Sequence, residues 1–243
     1  MKIRILKDHH ELSLQAAQLV IGQIRGKPNA VLCLAAGETQ VILYQMLSRL
    51  LPEQGIDFSE VHFVGLDEWV GIAPDNSGSC QSLLRKNLLT PLGIKETHIH
   101  FFDALATDLS GECRKMEALI KKLGGIDLMC VGIGMNGHIG FNEPGTSPAL
   151  RCHVATLDHT TQTVGQKYFQ ENTQLISGIT FGMAHLMEAQ GVILMANQQK
   201  KAAIIKKALA GTVTEQVPAS LIQNHPNAII LIDQEAASEL VRN

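Results

Sequence analysis

The chain has 243 residues, of which 45% are hydrophobic and 18% are charged, and its formal net charge is −3. This balance is typical of a globular protein and gives no basic surface for nucleic acid, so we expect small-molecule partners and no nucleic-acid partner. The apolar runs are far shorter than a bilayer span, and residues 1–7 lack the apolar core of a signal peptide. We therefore expect no membrane partner, a cytoplasmic location and one domain over residues 1–243.

Short apolar strands alternate with helical patterns along the chain. The pattern predicts strands at 3–6, 30–35, 60–66, 98–102, 126–131, 152–157, 176–180, 191–196 and 228–232. It predicts helices at 10–25, 39–51, 77–89, 109–123, 161–169, 181–188, 198–210 and 235–241. Strands that are apolar throughout and separated by helices indicate a doubly wound α/β fold, with a mostly parallel sheet covered by helices on both faces.

The cysteines form neither a disulfide pattern nor a metal-ligand pattern. They are odd in number, include no Cys-x-x-Cys pair, and occur as Cys33, Cys80, Cys113, Cys130 and Cys152. His98 and His100 would share one face of a strand, but no third ligand accompanies them in the sequence. We predict no metal and no cofactor.

A glycine-rich segment at 131–145, VGIGMNGHIGFNEPG, follows the predicted strand at 126–131. Its glycines allow sharp turns and a close approach of the backbone to a ligand. His138 and Glu143 supply a base that titrates near neutral pH and a carboxylate that could orient it. Glycine clusters also mark ordinary turns, and a single histidine is often a hydrogen-bonded loop residue, so this segment needs support from a second site.

The end of the strand at 60–66 provides that second site. Asp67 and Glu68 are adjacent carboxylates there, and acidic residues at a strand end indicate a turn or a site. In a doubly wound sheet the loops at the carboxyl ends of the strands line one crevice, so these residues can meet the glycine-rich segment. A carboxylate in that crevice could move a proton between neighbouring carbons, as aldose–ketose chemistry requires.

Two further loops offer places for an anion. After the strand at 30–35, a glycine turn opens a helix whose N–H groups suit a phosphate, although a self-capped helix start explains the same residues as well. Lys167 and Lys201 follow two later strands, where a lysine by itself is typical of a solvated helix surface.

Four segments together resemble the glucosamine-6-phosphate deaminase/isomerase family: LDEWVG at 66–71, GIGMNGHIGFNEPG at 132–145, GIT at 178–180 and PASLIQNH at 218–225. They occur in the same order over nearly the whole chain, which implies a Rossmann-like fold of the sugar-phosphate isomerase type. The Asn-Glu-Pro step is specific, since the related 6-phosphogluconolactonases lack it. Trp69, Cys80 and Asn136 are more similar to the galactosamine-6-phosphate branch.

The resemblance implies a reaction and a role for each site residue. Asp67 would move a proton between C2 and C1, and His138, held by Glu143 with Asn136 in place of an aspartate, would open the sugar ring. The expected reaction converts galactosamine-6-phosphate to tagatose-6-phosphate and ammonia, with conversion of glucosamine-6-phosphate to fructose-6-phosphate as the alternative. The residues expected to bind the substrate or its phosphate are Ala36, Gly37, Glu38, Thr39, Glu68, Gly137, Lys167 and Lys201.

Some positions depart from the family pattern. Lys167 stands in place of a phosphate-binding arginine, and Glu38 adds a negative charge where phosphate is expected. Either Glu38 points away from the phosphate, which we favour, or the ligand is less anionic. A non-catalytic sugar-phosphate sensor and a lactonase-like hydrolase are the competing hypotheses. A homo-oligomer is left open.

Overall fold

The computed structural model describes residues 1–240. Its strands are β1 Lys2–Leu6, β2 Val31–Leu34, β3 His62–Gly65, β4 Asp67–Trp69, β5 Ile99–His100, β6 Leu128–Gly132, β7 His153–Thr156, β8 Ser177–Thr180, β9 Val192–Ala196 and β10 Ala228–Asp233. Its α-helices are α1 His9–Gly26, α2 Glu38–Glu53, α3 Cys80–Leu84, α4 Leu109–Lys122, α5 His159–Gly165, α6 Met183–Glu188 and α7 Ala202–Ala210.

Seven strands form one parallel sheet in the order β1-β10-β9-β6-β2-β3-β5. From β2 the chain adds β3 and β5 on one side, and then returns to place β6 on the other side of β2. The direction of winding therefore reverses between β2 and β6, so the loops after these two strands diverge and open a crevice at their carboxyl ends.

Both faces of this sheet are buried, which explains why its central strands are apolar at every position. In β2, Val31 and Cys33 pack into one hydrophobic cluster with α4, α6 and α7, whereas Leu32 and Leu34 pack into a second cluster with α1 and α2. Helices thus cover both faces, and the predicted doubly wound α/β class is confirmed.

A second, smaller sheet corrects the prediction for two strands. The segments predicted at 152–157 and 176–180 as members of the parallel sheet form β7 and β8 of an antiparallel sheet, in the order β4-β8-β7. The outer strand β7 is exposed on one face, because Val154 is 40% exposed while the next residue, Ala155, is buried. Burial thus alternates along β7, a pattern typical of antiparallel strands, whereas the central strand β8 is buried from Gly178 to Thr180.

Several predicted elements differ at their ends. The helix predicted at 77–89 is α3 followed by a π-helical turn, Arg85–Leu89, and the strand predicted at 98–102 is only β5. Lys167 lies in a 3-10 turn, Gln166–Tyr168, and Lys201 ends another, Gln199–Lys201. The helix predicted at 235–241 consists of turns as far as residue 240, and its last residue lies outside the described residues.

Among the helices of residues 1–240, none combines the length and the apolar character that crossing a membrane requires.

Candidate active site

A cavity of about 850 Å³ lies at the carboxyl end of the parallel sheet. Its walls come from the loops after β2, β3, β6 and β9, together with α5 and the 3-10 turn that follows it. This volume is in the range of small-molecule sites. The predicted site residues that line the cavity are Ala36, Gly37, Glu38, Thr39, Asp67, His138, Lys167 and Lys201, whereas Glu68, Asn136, Gly137 and Glu143 do not line it.

Asp67 is a buried carboxylate that faces the cavity. Its side chain lies at the start of β4, and among the described residues its Oδ1 has no hydrogen-bond partner. Burial, reinforced by the adjacent charge of Glu68, raises the pKa of Asp67 to about 7, and the neighbouring thiol of Cys80 offsets only a small part of this shift. A carboxylate with this pKa can take up and release a proton near neutral pH.

Glu68, which we predicted to bind substrate, has a structural position instead. Its carboxylate is almost fully buried and accepts hydrogen bonds from the backbone N–H groups of Trp69, Cys80 and Gln81 at 2.9–3.0 Å. These contacts fix the start of α3 beside Asp67. Successive strand residues point to opposite faces, so only one of the two adjacent acids can face the cavity.

The imidazole of His138 is held from one side by two oxygens. Its Nδ1 lies 2.9 Å from Thr161 Oγ1 and 3.4 Å from Glu143 Oε2. Because both neighbours can accept a hydrogen bond, we assign the Nδ1 proton to this side, which leaves Nε2 as an acceptor. A side chain at Gly134 would collide with this ring, so glycine there is needed for the imidazole to lie against the loop.

Glu143 and Asn136 lie behind the imidazole and do not line the cavity. Asn136 Nδ2 donates to Glu143 Oε2 at 2.8 Å, and Asn136 Oδ1 accepts the His138 backbone N–H at 3.2 Å. Burial opposes ionisation of Glu143, but hydrogen bonds from His138, Thr161 and Asn136 more than compensate, so the pKa of Glu143 is lowered. The carboxylate thus remains charged and can orient the imidazole.

Gly137 shapes the same loop from outside the cavity. Its φ of +92° lies in the left-handed region, and an added side chain would meet Val217. Its carbonyl accepts the N–H of Ala219, which connects the loop to the 3-10 helix Pro218–Asn224. We predicted that Gly137 contacts a ligand directly, but in the structure it shapes the loop and does not line the cavity.

Part of the cavity wall is cationic. Lys167, Lys200 and Lys201 all line it. Lys201 donates to the carbonyl of Ile133 at 2.6 Å, and burial, reinforced by the charges of the other two lysines, lowers its pKa to about 8. The N-terminus of α2 also lines the cavity, and no side chain caps it. Lysines and free N–H groups together suit an anionic ligand.

Two of the predicted anion-binding side chains already have partners. Glu38 Oε2 accepts from Lys167 Nζ at 2.7 Å, so Glu38 does not point away from the anion site as we favoured. Thr39 Oγ1 donates to Asn197 Oδ1 at 2.8 Å and thereby connects the loops after β2 and β9. The backbone N–H groups of this turn, rather than the Thr39 hydroxyl, are thus the groups left for a ligand.

Comparison with known proteins places this geometry in a family. The family model for glucosamine-6-phosphate isomerases and 6-phosphogluconolactonases matches residues 7–231. The chain belongs to this family. Among its members, the glucosamine-6-phosphate deaminase of Thermoanaerobacter pseudethanolicus is 40% identical over 239 residues, which cover 98% of this chain and 94% of the relative. That of Halothermothrix orenii is 38% identical over 99% of this chain and 100% of the relative.

Solved structures of the family have the same fold. A monomeric glucosamine-6-phosphate deaminase matches with a TM-score of 0.95 and 35% identity, covering 98% of this chain and all of its own. The 6-phosphogluconolactonase of Trypanosoma brucei matches with a TM-score of 0.78 but only 21% identity, covering 99% of this chain and 98% of its own, so it supports the fold alone. These relatives favour the glucosamine alternative over our galactosamine prediction.

Several cavity residues were not among the predicted site residues. Thr161 contacts His138 more closely than Glu143 does, yet it lies 23 residues further along the chain. Gln40 is buried at the cavity wall, and its Nε2 has no partner among residues 1–240, so it can donate to a ligand. Its position on the first turn of α2 was the one available signal, whereas nothing in the sequence marks Thr161.

Proposed function

We propose that this protein is an amino-sugar 6-phosphate deaminase and isomerase, with glucosamine-6-phosphate as its first substrate and fructose-6-phosphate and ammonia as products. The observation that carries the proposal is that Asp67 and His138 line the same cavity as three lysines, Lys167, Lys200 and Lys201. The naming of the relatives supports this choice of substrate. In this proposal the phosphate binds at these lysines and the sugar carbons lie beside Asp67 and His138.

The proposed steps follow from the two side chains. His138 accepts the O1 proton through Nε2 and returns a proton to O5, which opens the ring. Asp67 removes the proton from C2 while O1 gains a proton, which gives an enolamine between C1 and C2. A proton is then delivered to C1 and the nitrogen releases one, which leaves an imine at C2 and a hydroxyl at C1. Water then hydrolyses this imine to the ketone and ammonia. A base whose pKa is about 7 is suited to both halves of the proton transfer.

Galactosamine-6-phosphate is the second candidate, because Asn136 occupies the position beside Glu143 and resembles the galactosamine branch. The two sugars differ by the orientation of one hydroxyl, so the catalytic geometry suits either. A lactonase-like hydrolase has weaker support, since the lactonase likeness concerns the fold.

Ammonia release should be measured with glucosamine-6-phosphate and galactosamine-6-phosphate side by side, with 6-phosphogluconolactone hydrolysis as the third assay. We expect ammonia from glucosamine-6-phosphate at the highest kcat/KM. Faster release from galactosamine-6-phosphate would transfer the proposal to that substrate. Lactone hydrolysis without ammonia from either sugar would refute it, and binding without turnover of any of the three would favour the sensor hypothesis.

A further inference from the structure

An ion pair lies among the lysines that line the cavity. Glu38, the first residue of α2, and Lys167, in the 3-10 turn after α5, are 129 positions apart in the chain but only 2.7 Å apart between Oε2 and Nζ. The two side chains are 58% and 36% exposed, so an entering ligand can reach both. The pair therefore connects two segments of the cavity lining that are distant in the sequence.

Glu38 lies where an anion would otherwise be stabilised. The uncapped N-terminus of α2 favours a negative charge, Lys167 contacts the carboxylate, and the charges of Lys200 and Lys201 also act on it. The hydrogen bond from Lys167 is the largest of the effects that lower the pKa of Glu38, and the charges of the other two lysines add to it. The carboxylate is thus ionised and shares its cation with any ligand anion that enters.

We infer that Glu38 is a specificity-determining residue that competes with the substrate's phosphate for Lys167 and releases this lysine when a phosphate monoester enters. The inference rests on the proposed function. An exposed ion pair is weak, so a phosphate dianion, which carries twice the charge of a carboxylate, can displace Glu38. A neutral sugar or a singly charged sugar acid cannot do so as readily, and the site thereby selects for phosphate monoesters.

Removal of Glu38 has opposite effects on phosphate binding depending on whether Glu38 orients Lys167 or competes for it. If Glu38 stayed paired in the complex and only oriented Lys167, its removal would weaken phosphate binding. If Glu38 is a competitor, its removal frees Lys167 and abolishes a repulsion, and phosphate binds more tightly. Unit charges about 4 Å apart in a solvated site interact strongly enough to change affinity by about five- to tenfold.

The test is calorimetric titration of inorganic phosphate at pH 8 and constant ionic strength, into the wild type and Glu38→Gln. We expect Kd for phosphate to fall by about five- to tenfold in the variant. Glu53→Gln removes the same charge from the far end of α2, roughly 22 Å away along the helix, and should leave Kd unchanged within twofold. In a Lys167→Met background, removal of Glu38 should tighten binding much less.

An equal or higher Kd in Glu38→Gln would overturn the inference. Because the titration uses phosphate and no turnover, its result does not depend on whether ammonia is released. Ammonia release by the wild type together with an unchanged Kd in Glu38→Gln would leave the proposed function intact and refute the competing role of Glu38. Tighter phosphate binding by Glu38→Gln without ammonia release by the wild type would support Glu38 as a competitor and refute the proposed function.

Discussion

The buried carboxylate of Asp67 opposes folding at neutral pH, and Asp67→Asn should reveal by how much. In the unfolded chain an aspartate ionises with a pKa near 3.8, whereas burial raises the pKa of Asp67 to about 7 in the folded protein. The folded state therefore binds the proton more tightly than the unfolded state. The stability contributed by the protonated form is fully present below pH 3.8 and is lost as the pH rises through 7.

The size of the effect follows from the pKa difference. About three pH units at 1.36 kcal/mol each give a cost of about 4 kcal/mol for the ionised carboxylate above pH 7. Asparagine has nearly the same shape and carries no charge. The gain in unfolding free energy of Asp67→Asn over the wild type should therefore be about 3 kcal/mol larger at pH 8 than at pH 5.

Urea denaturation of both proteins at the two pH values measures this difference directly. Asp75→Asn removes an exposed carboxylate from the following loop and should change stability little at either pH. The same Asp67→Asn variant should lose activity by roughly a hundredfold to ten-thousandfold, as expected for loss of a general base. A gain in stability that is equal at pH 5 and pH 8 would refute the assignment of a desolvated, ionisable base.

Three further predictions concern the rest of the cavity. In the wild type, kcat/KM should decline about tenfold per pH unit below pH 7, because Asp67 must be ionised to accept a proton. A pH profile that is flat from pH 5 to 8 would exclude Asp67 as the base. Thr161→Val should lower kcat about tenfold with little change in KM, because His138 loses its closest partner; an unchanged kcat would show that Glu143 alone holds the ring. Lys201→Met should raise KM for the phosphorylated sugar about tenfold or more. The wild-type KM should also rise above pH 8, because this lysine then loses its proton. A KM that responds to neither change would place the phosphate elsewhere.

The parallel sheet could be predicted from the sequence because its strands are buried on both faces. Runs such as that of β2 are apolar at every position, and the intervening helices fix the right-handed parallel connections. The small sheet could not be predicted in the same way. Its central strand β8 pairs with β7 on one side and with β4 on the other, and β4 is a segment of three residues with two acids that no local pattern marks as a strand.

The candidate site was predictable where a side chain sits at a strand end, and less so where its direction matters. Asp67 and His138 were identified because the fold brings strand ends together. The difference between Asp67 and Glu68 depends on the strand pairing of β4, which decides which acid faces the cavity. The contacts of Thr161 with His138 and of Glu38 with Lys167 join segments that only the folded chain brings together.

The most direct test of the central claim compares ammonia release from glucosamine-6-phosphate by the wild type, Asp67→Asn and Asp75→Asn. With Asp67 as the base, the wild type and Asp75→Asn release ammonia and a ketose 6-phosphate in equal amounts, whereas folded Asp67→Asn releases neither at a comparable rate. Ammonia release by Asp67→Asn at the wild-type rate would contradict the claim.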